Sequence, residues 1–116
     1  MSFSAFVSSV RARGRSAYFI GSSPTEGPSV VRLDADTEAT EVIHRSSAIH
    51  VDSRYVSQPQ TIEFPTTGGR SAYGFFYPPR NKDFNAPEGE RPPLIVKCHG
   101  GPTAATTTTL RLETQY

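Results

Sequence analysis

Residues 97–102, Lys-Cys-His-Gly-Gly-Pro, place the most reactive side chains of the chain beside a pair of adjacent glycines. Four groups could act as bases, nucleophiles or metal ligands: His44, His50, Cys98 and His99. Their spacing does not match a zinc site, so no metal is expected. Cys98 alternates with Leu94 and Val96, which makes it a packed strand residue rather than a nucleophile. His99 has no neighbouring acid to orient it and no adjacent hydroxyl or thiol to activate, which argues against a proton shuttle. No lysine follows Gly101, so the turn is not a nucleotide phosphate cradle. What remains is the main chain. Two glycines allow backbone angles closed to other residues and a close approach by a ligand, and Pro102 then fixes the direction of exit. Backbone amides in such a turn suit an oxyanion.

Such a turn needs an element on each side. Upstream, "LIVKC" (94–98) is apolar at nearly every position, the pattern of a central strand covered on both faces. Downstream, a helix starting within a few residues would add its free amides and dipole to the site. Thr106 to Thr109 are poor mid-helix residues, but one of them, or Thr103, suits the N-cap, with Leu110 to Tyr116 forming the first turns.

The rest of the chain reads as short strands separated by turns. "SAFVSSVRA", "SAYFIGSS", "SVVRLDADT" and "TEVIHRSS" follow one another with "PTEGP" (24–28) and "DADTEA" (34–39) as turns, which predicts an antiparallel meander. In "SVVRL" period-two geometry puts Val31 and Leu33 on one face and Val30 and Arg32 on the other. One such sheet is too small to be stable alone. "VDSRYVSQPQ" (51–60) has no sustained pattern, and a domain junction is placed near Ser57. Beyond it come "TIEFPT" and "SAYGFFYPP", joined by a hairpin-like "TTGGR" (66–70), and then a long polar loop, "RNKDFNAPEGERPP" (80–93).

Composition narrows the function classes. At 116 residues the chain is well short of the roughly 200 to 250 used by a large α/β enzyme domain. With 35% hydrophobic residues, ten prolines and nine glycines, any core is modest. Twelve basic residues against eleven acidic ones give a net charge of +1, no electrostatic basis for a nucleic-acid or membrane partner. The arginines of "RARGR" (11–15) read as the solvated face of a strand. A lone cysteine fits a reducing compartment, and a cytoplasmic location is expected. The serine- and arginine-bearing first 25 residues loosely resemble an organelle transit peptide, but "SAYFIGSS" follows at once and looks like folded strand.

His99-Gly100-Gly101-Pro102 after "LIVKC", preceded by "PQTIEFPTTGGRSAYGFFYPP", resembles the start of the catalytic α/β-hydrolase domain in the prolyl oligopeptidase family of serine peptidases. Bacterial acylaminoacyl-peptidase and dipeptidyl-aminopeptidase-like members are the most similar in pattern. "YFIGSSPTEGPSVVRLDADTEATEVIHRSS" resembles the last blade of the β-propeller that precedes that domain. The resemblance implies a mixed fold: residues 1–57 end a β-propeller, and residues 58–116 open an α/β-hydrolase domain. It also implies that Gly101 supplies an oxyanion-hole amide, with Gly100 and His99 shaping the loop. A peptide is the implied substrate, and no cofactor is implied. The family's serine lies in a Gly-x-Ser-x-Gly elbow, with an Asp and a His further on, and none of these occurs in the 116 residues. The implied function is therefore a fragment of a peptide-cleaving serine hydrolase that is inactive alone. The alternative is a small β-rich binding or interaction module without catalysis.

Overall fold

The computed structural model describes residues 6–115. Ser4 and Ala5 of the first expected strand, and Tyr116, lie outside the described residues. The described chain forms six strands in two antiparallel sheets and one short helix. It divides into two units: one runs to His50 and includes Thr107–Thr114, the other comprises Val51–Thr106 with Gln115.

The first unit is the expected meander. β1 (Phe6–Arg13), β2 (Ser16–Ser22), β3 (Ser29–Asp34) and β4 (Thr40–Arg45) pair in sequence order, each antiparallel to the next. Local turn chemistry explains the order. Gly14, at φ 58°, turns β1 into β2 in the left-handed conformation such tight hairpins need. Ser23 Oγ accepts from the amides of Thr25 and Glu26 at 3.3 and 3.0 Å, closing the turn before β3. Asp34 Oδ1 accepts from the amides of Asp36 and Thr37 at 3.0 and 3.1 Å and holds the turn before β4. Two bulges bend the sheet, one between Ser8 and Arg11 of β1, where Ser9 has φ 54°, and one opposite Val30 and Val31. The predicted alternation holds at the centre of β3, where Val31 is 0% exposed and Val30 is exposed. The arginines find acids: Arg15 pairs with Asp36, and Arg32 with Glu41 at 3.5 Å.

The second unit contains a hairpin and much irregular chain. β5 (Gln60–Pro65) pairs with β6 (Ser71–Phe76) in register, Gln60 opposite Phe76 and Pro65 opposite Ser71. The reversal is a single 3₁₀ turn over Thr67–Gly69, with Gly68 and Gly69 at φ 73° and 68°. This is the hairpin that "TTGGR" predicts. Every residue of β5 is exposed, because the two-stranded sheet has no covering layer within the described residues. A second 3₁₀ turn, Ser53–Tyr55, is capped by Asp52, whose side chain accepts from the Arg54 amide at 2.9 Å. The fully buried apolar side chains among the described residues are Val31 and Val56, one in each unit.

Two expectations are corrected. Leu94–Cys98 is not a strand: it has no ladder partner among the described residues, and Leu94, Ile95 and Val96 are 74%, 85% and 75% exposed. Cys98 is likewise exposed rather than packed. An apolar run becomes a strand only where neighbouring backbone completes its hydrogen bonds, and β5 and β6 have already paired with each other. The helix α1 spans Leu112–Gln115 and begins well beyond Pro102, so neither Thr103 nor Thr106 to Thr109 caps it. The threonines run in irregular chain, where Thr109 Oγ1 and Ser22 Oγ share a hydrogen bond of 2.7 Å and the Leu110 amide donates to the Ser23 carbonyl at 2.9 Å.

Candidate functional site: the His-Gly-Gly-Pro turn

His99, Gly100 and Gly101 lie together in an exposed bend. The two glycines are not equivalent. Gly101 has φ 75°, a left-handed backbone that glycine adopts without the penalty a Cβ brings. Gly100 has no such φ. A Cβ built on either residue would meet no atom within 4 Å beyond its own chain neighbours, so space alone does not demand glycine at either position. The requirement at Gly101 is conformational, and it sets the direction in which the local amides point. Such amides can offer hydrogen bonds to an anionic oxygen without a charged side chain. No helix begins at the turn, since α1 is a single turn that starts at Leu112.

The other candidate side chains sit on other elements. His44 is in exposed β4 and His50 is exposed in irregular chain. Among the described residues no three His, Cys, Asp or Glu side chains gather in a way that could hold a metal ion. A depression of about 200 Å³ lies over the β3–β4 turn, lined by Arg32, Asp34, Thr37, Ala39, Thr40 and Glu41. Its one cation is already committed, since Arg32 meets Asp34 at 3.8 Å, Glu41 at 3.5 Å and the Ser16 hydroxyl at 3.1 Å. No helix among the described residues is long and apolar enough to cross a membrane.

Two polar constellations of the second unit were not foreseen from sequence. In the first, Tyr55 donates its hydroxyl to Asp83, and Lys82 approaches Asp83 at 2.5 Å while lying 5.2 Å from the Tyr55 ring centre. The lysine ammonium, and after it the tyrosine hydroxyl, pull the Asp83 carboxyl below its usual range. The hydrogen bond to Asp83 pushes the Tyr55 phenol upward in turn. Nearby, the Arg54 side chain, helped by the Arg54 amide, lowers Asp52 to about 2. In the second constellation Ser57 meets both Gln115 and Pro78. Neither has a periodic signal: Tyr55 and Asp83 are 28 residues apart, Ser57 and Gln115 are 58 apart, and all are common surface residue types.

No family model and no curated protein sequence matches the chain. Solved structures do. A puromycin-hydrolysing peptidase of Mycobacterium tuberculosis is 37% identical over 92% of this chain, with a TM-score of 0.87. A puromycin hydrolase is 32% identical with a TM-score of 0.81, and a serine-to-alanine variant complexed with PGG is 34% identical with a TM-score of 0.83, each over 92% of the chain. The chain is related to peptidases of the prolyl oligopeptidase family. It spans 16% to 17% of the length of these relatives. Identity above 30% together with close superposition over nearly all described residues extends the family resemblance from the motif to the fold of the segment. The four-stranded antiparallel meander matches the form of a propeller blade, the architecture that the resemblance implies for the first half.

Proposed function

We propose that this chain is part of a serine peptidase that hydrolyses short peptides by acyl transfer in a reducing, cytoplasmic setting. In this reading residues 1–57 end a β-propeller and residues 58–116 open the α/β-hydrolase domain. The observation that carries it is the 37% identity to a puromycin-hydrolysing peptidase over 92% of the chain. The left-handed Gly101 in an open turn supports the finer assignment.

The chemistry follows from the parts. A serine hydroxyl outside these 116 residues adds to the scissile carbonyl carbon and gives its proton to a histidine, also supplied elsewhere. The carbonyl oxygen becomes an oxyanion, and the Gly101 amide donates a hydrogen bond to it. Gly100 and His99 hold the turn in shape. Collapse of the intermediate expels the amine, which takes the proton from the histidine. Water then releases the acyl group from the serine. The 116-residue chain, which carries the donor but neither nucleophile nor base, is inactive by itself.

The test is hydrolysis of puromycin and of aminoacyl chromogenic amides by two proteins: the purified 116-residue chain, and the product of the reading frame that encodes it, expressed in full. Turnover by the second and not by the first is the expected result. Turnover by the purified chain, or a full product that leaves every substrate intact, overturns the proposal. The latter would favour a non-catalytic binding module.

A further inference from the structure

The chain leaves the first unit after His50 and first returns to it at Thr107. Exposure follows the same path. Residues 79–106 are all exposed, residues 107–110 are half-buried, and residues 111–114 are exposed again. Burial thus resumes over Thr107, Thr108, Thr109 and Leu110, which lie in neither helix nor strand.

The hydrogen bonds of these residues all fall within the first unit. The Leu110 amide donates to the Ser23 carbonyl at 2.9 Å, just past Gly21, where the pairing of β2 with β3 ends. Thr109 Oγ1 and Ser22 Oγ lie 2.7 Å apart, and the Thr107 hydroxyl donates to Thr109 Oγ1 at 3.4 Å. Three buried serines gather at this end of the sheet: Ser22, Ser29 and Ser23, at 1%, 3% and 7% exposure. Two of them are satisfied by the β2–β3 turn itself. Ser23 Oγ accepts from the amides of Thr25 and Glu26, and the Ser29 hydroxyl donates to the Gly27 carbonyl at 3.4 Å. Ser22 differs. Among the described residues its hydroxyl bonds to Thr109, 87 residues later in the chain. A buried hydroxyl left without a partner is costly, because water cannot reach it to take the partner's place.

We infer that residues 107–110 are a strap. Docked on the end of β2, it supplies the partner that the buried Ser22 hydroxyl needs, and it opens locally while the four-stranded sheet stays paired. Local opening follows from the difference in fastening. The strap is held to β2 by one backbone and one side-chain hydrogen bond and is flanked by exposed chain, whereas β2 has a ladder on each side. The strap lies within one unit and is independent of the peptidase chemistry proposed above.

The test is NMR amide exchange on the 116-residue chain, comparing Leu110 with Val30 to Leu33 of β3. In the parent, Leu110 should exchange at least about 10-fold more slowly than the exposed Ala104 and Ala105, and faster than the β3 amides. Thr109→Val keeps the shape of the side chain and removes its hydroxyl. Leu110 exchange should quicken on the order of 10-fold, with β3 changed by less than about 2-fold. Thr109→Ser, which keeps the hydroxyl, should retain the protection. Thr106→Val, at an exposed neighbour outside the strap, should leave it unaltered. In a Ser22→Ala background Thr109→Val should add little, since the bond is already gone. If Thr109→Val alone does not fold, the double variant, which leaves neither hydroxyl of the pair, is compared with the parent in its place. A Leu110 amide unprotected in the parent, or one indifferent to loss of the Thr109 hydroxyl, would overturn the strap. Equal quickening at Leu110 and β3 would overturn its local opening, because the segment would then unfold only with the sheet.

Discussion

Val31 and Val96 each sit in the middle of a short apolar run, "SVVRL" and "LIVKC", and end in opposite environments: one is fully buried at the centre of a four-stranded sheet, the other is 75% exposed in chain that joins no sheet. Side-chain character does not separate them. The difference is the distance to a partner strand. β3 pairs with β2 and β4, both adjacent in sequence and joined to it by turns that Ser23 and Asp34 close locally. Leu94–Cys98 follows a long polar loop, and the strands before it, β5 and β6, are already paired with each other. Local pairing requires little loop-closure entropy, and non-local pairing must wait for strands brought from further away.

The comparison also divides labour: the first unit carries ordered backbone, and the second carries the turn with the proposed chemistry. The largest test of that division is Gly101→Val in the full product of the reading frame. A Cβ at φ 75° moves the donor, and kcat should fall on the order of 100- to 1000-fold while KM changes little and the fold is kept. His99→Ala should do far less, because the imidazole carries no proton in this scheme. Normal turnover in the valine variant beside a dead alanine variant would return His99 to the chemistry.

Backbone dynamics should separate the units next. In the 116-residue chain, amides of Val30 to Leu33 should exchange at least about 100-fold more slowly than those of Leu94 to Cys98. Comparable protection in a monodisperse monomer would mean that the second run buries itself. If the solution instead contains oligomers protected at residues 94–98, the exposed run has found strand partners in other copies.

Stability gives a smaller contrast. Val31→Ala should cost about 2 kcal/mol in urea unfolding, since two buried methyl groups are lost. Val96→Ala should stay within about 0.5 kcal/mol. Equal costs would contradict the exposure of residues 94–96.

The smallest effect concerns the cap before Tyr55. Arg54 lowers the Asp52 carboxyl from 3.8 to about 2, so whatever this pairing contributes is fully present above pH 3.8 and is lost as the pH falls through about 2. A carboxyl-carbon NMR titration should place the Asp52 midpoint near 2, and Arg54→Ala should move it back toward 3.8. A midpoint near 3.8 in the parent would show that the pairing does not hold in solution.

Much of the architecture was legible because it is local. The meander, its turns at residues 24–28 and 34–39, the β5–β6 hairpin at "TTGGR" and the special position of the glycine pair all follow from residues close together in the chain. The expectation failed at Leu94–Cys98 and at the threonine tract, where the outcome depends on what lies alongside. Apolarity marks Leu94, Ile95 and Val96 as able to be buried, but it supplies no hydrogen-bond partner. Thr109 looked like an N-cap by type, and it is engaged by Ser22, 87 residues earlier.

The sequence alone determined the order of the strands, the position of the reversals and the one motif with a chemical meaning, since turn propensity, period-two alternation and the left-handed tolerance of glycine act within a few residues. Only the tertiary structure decided that Gly101, and not Gly100, holds the left-handed angle, that Cys98 is exposed, and that Ser57 is gripped by Gln115. The exposure of Cys98 and the grip on Ser57 depend on separations of many residues, where burial and hydrogen-bond geometry choose among partners that sequence type leaves equivalent.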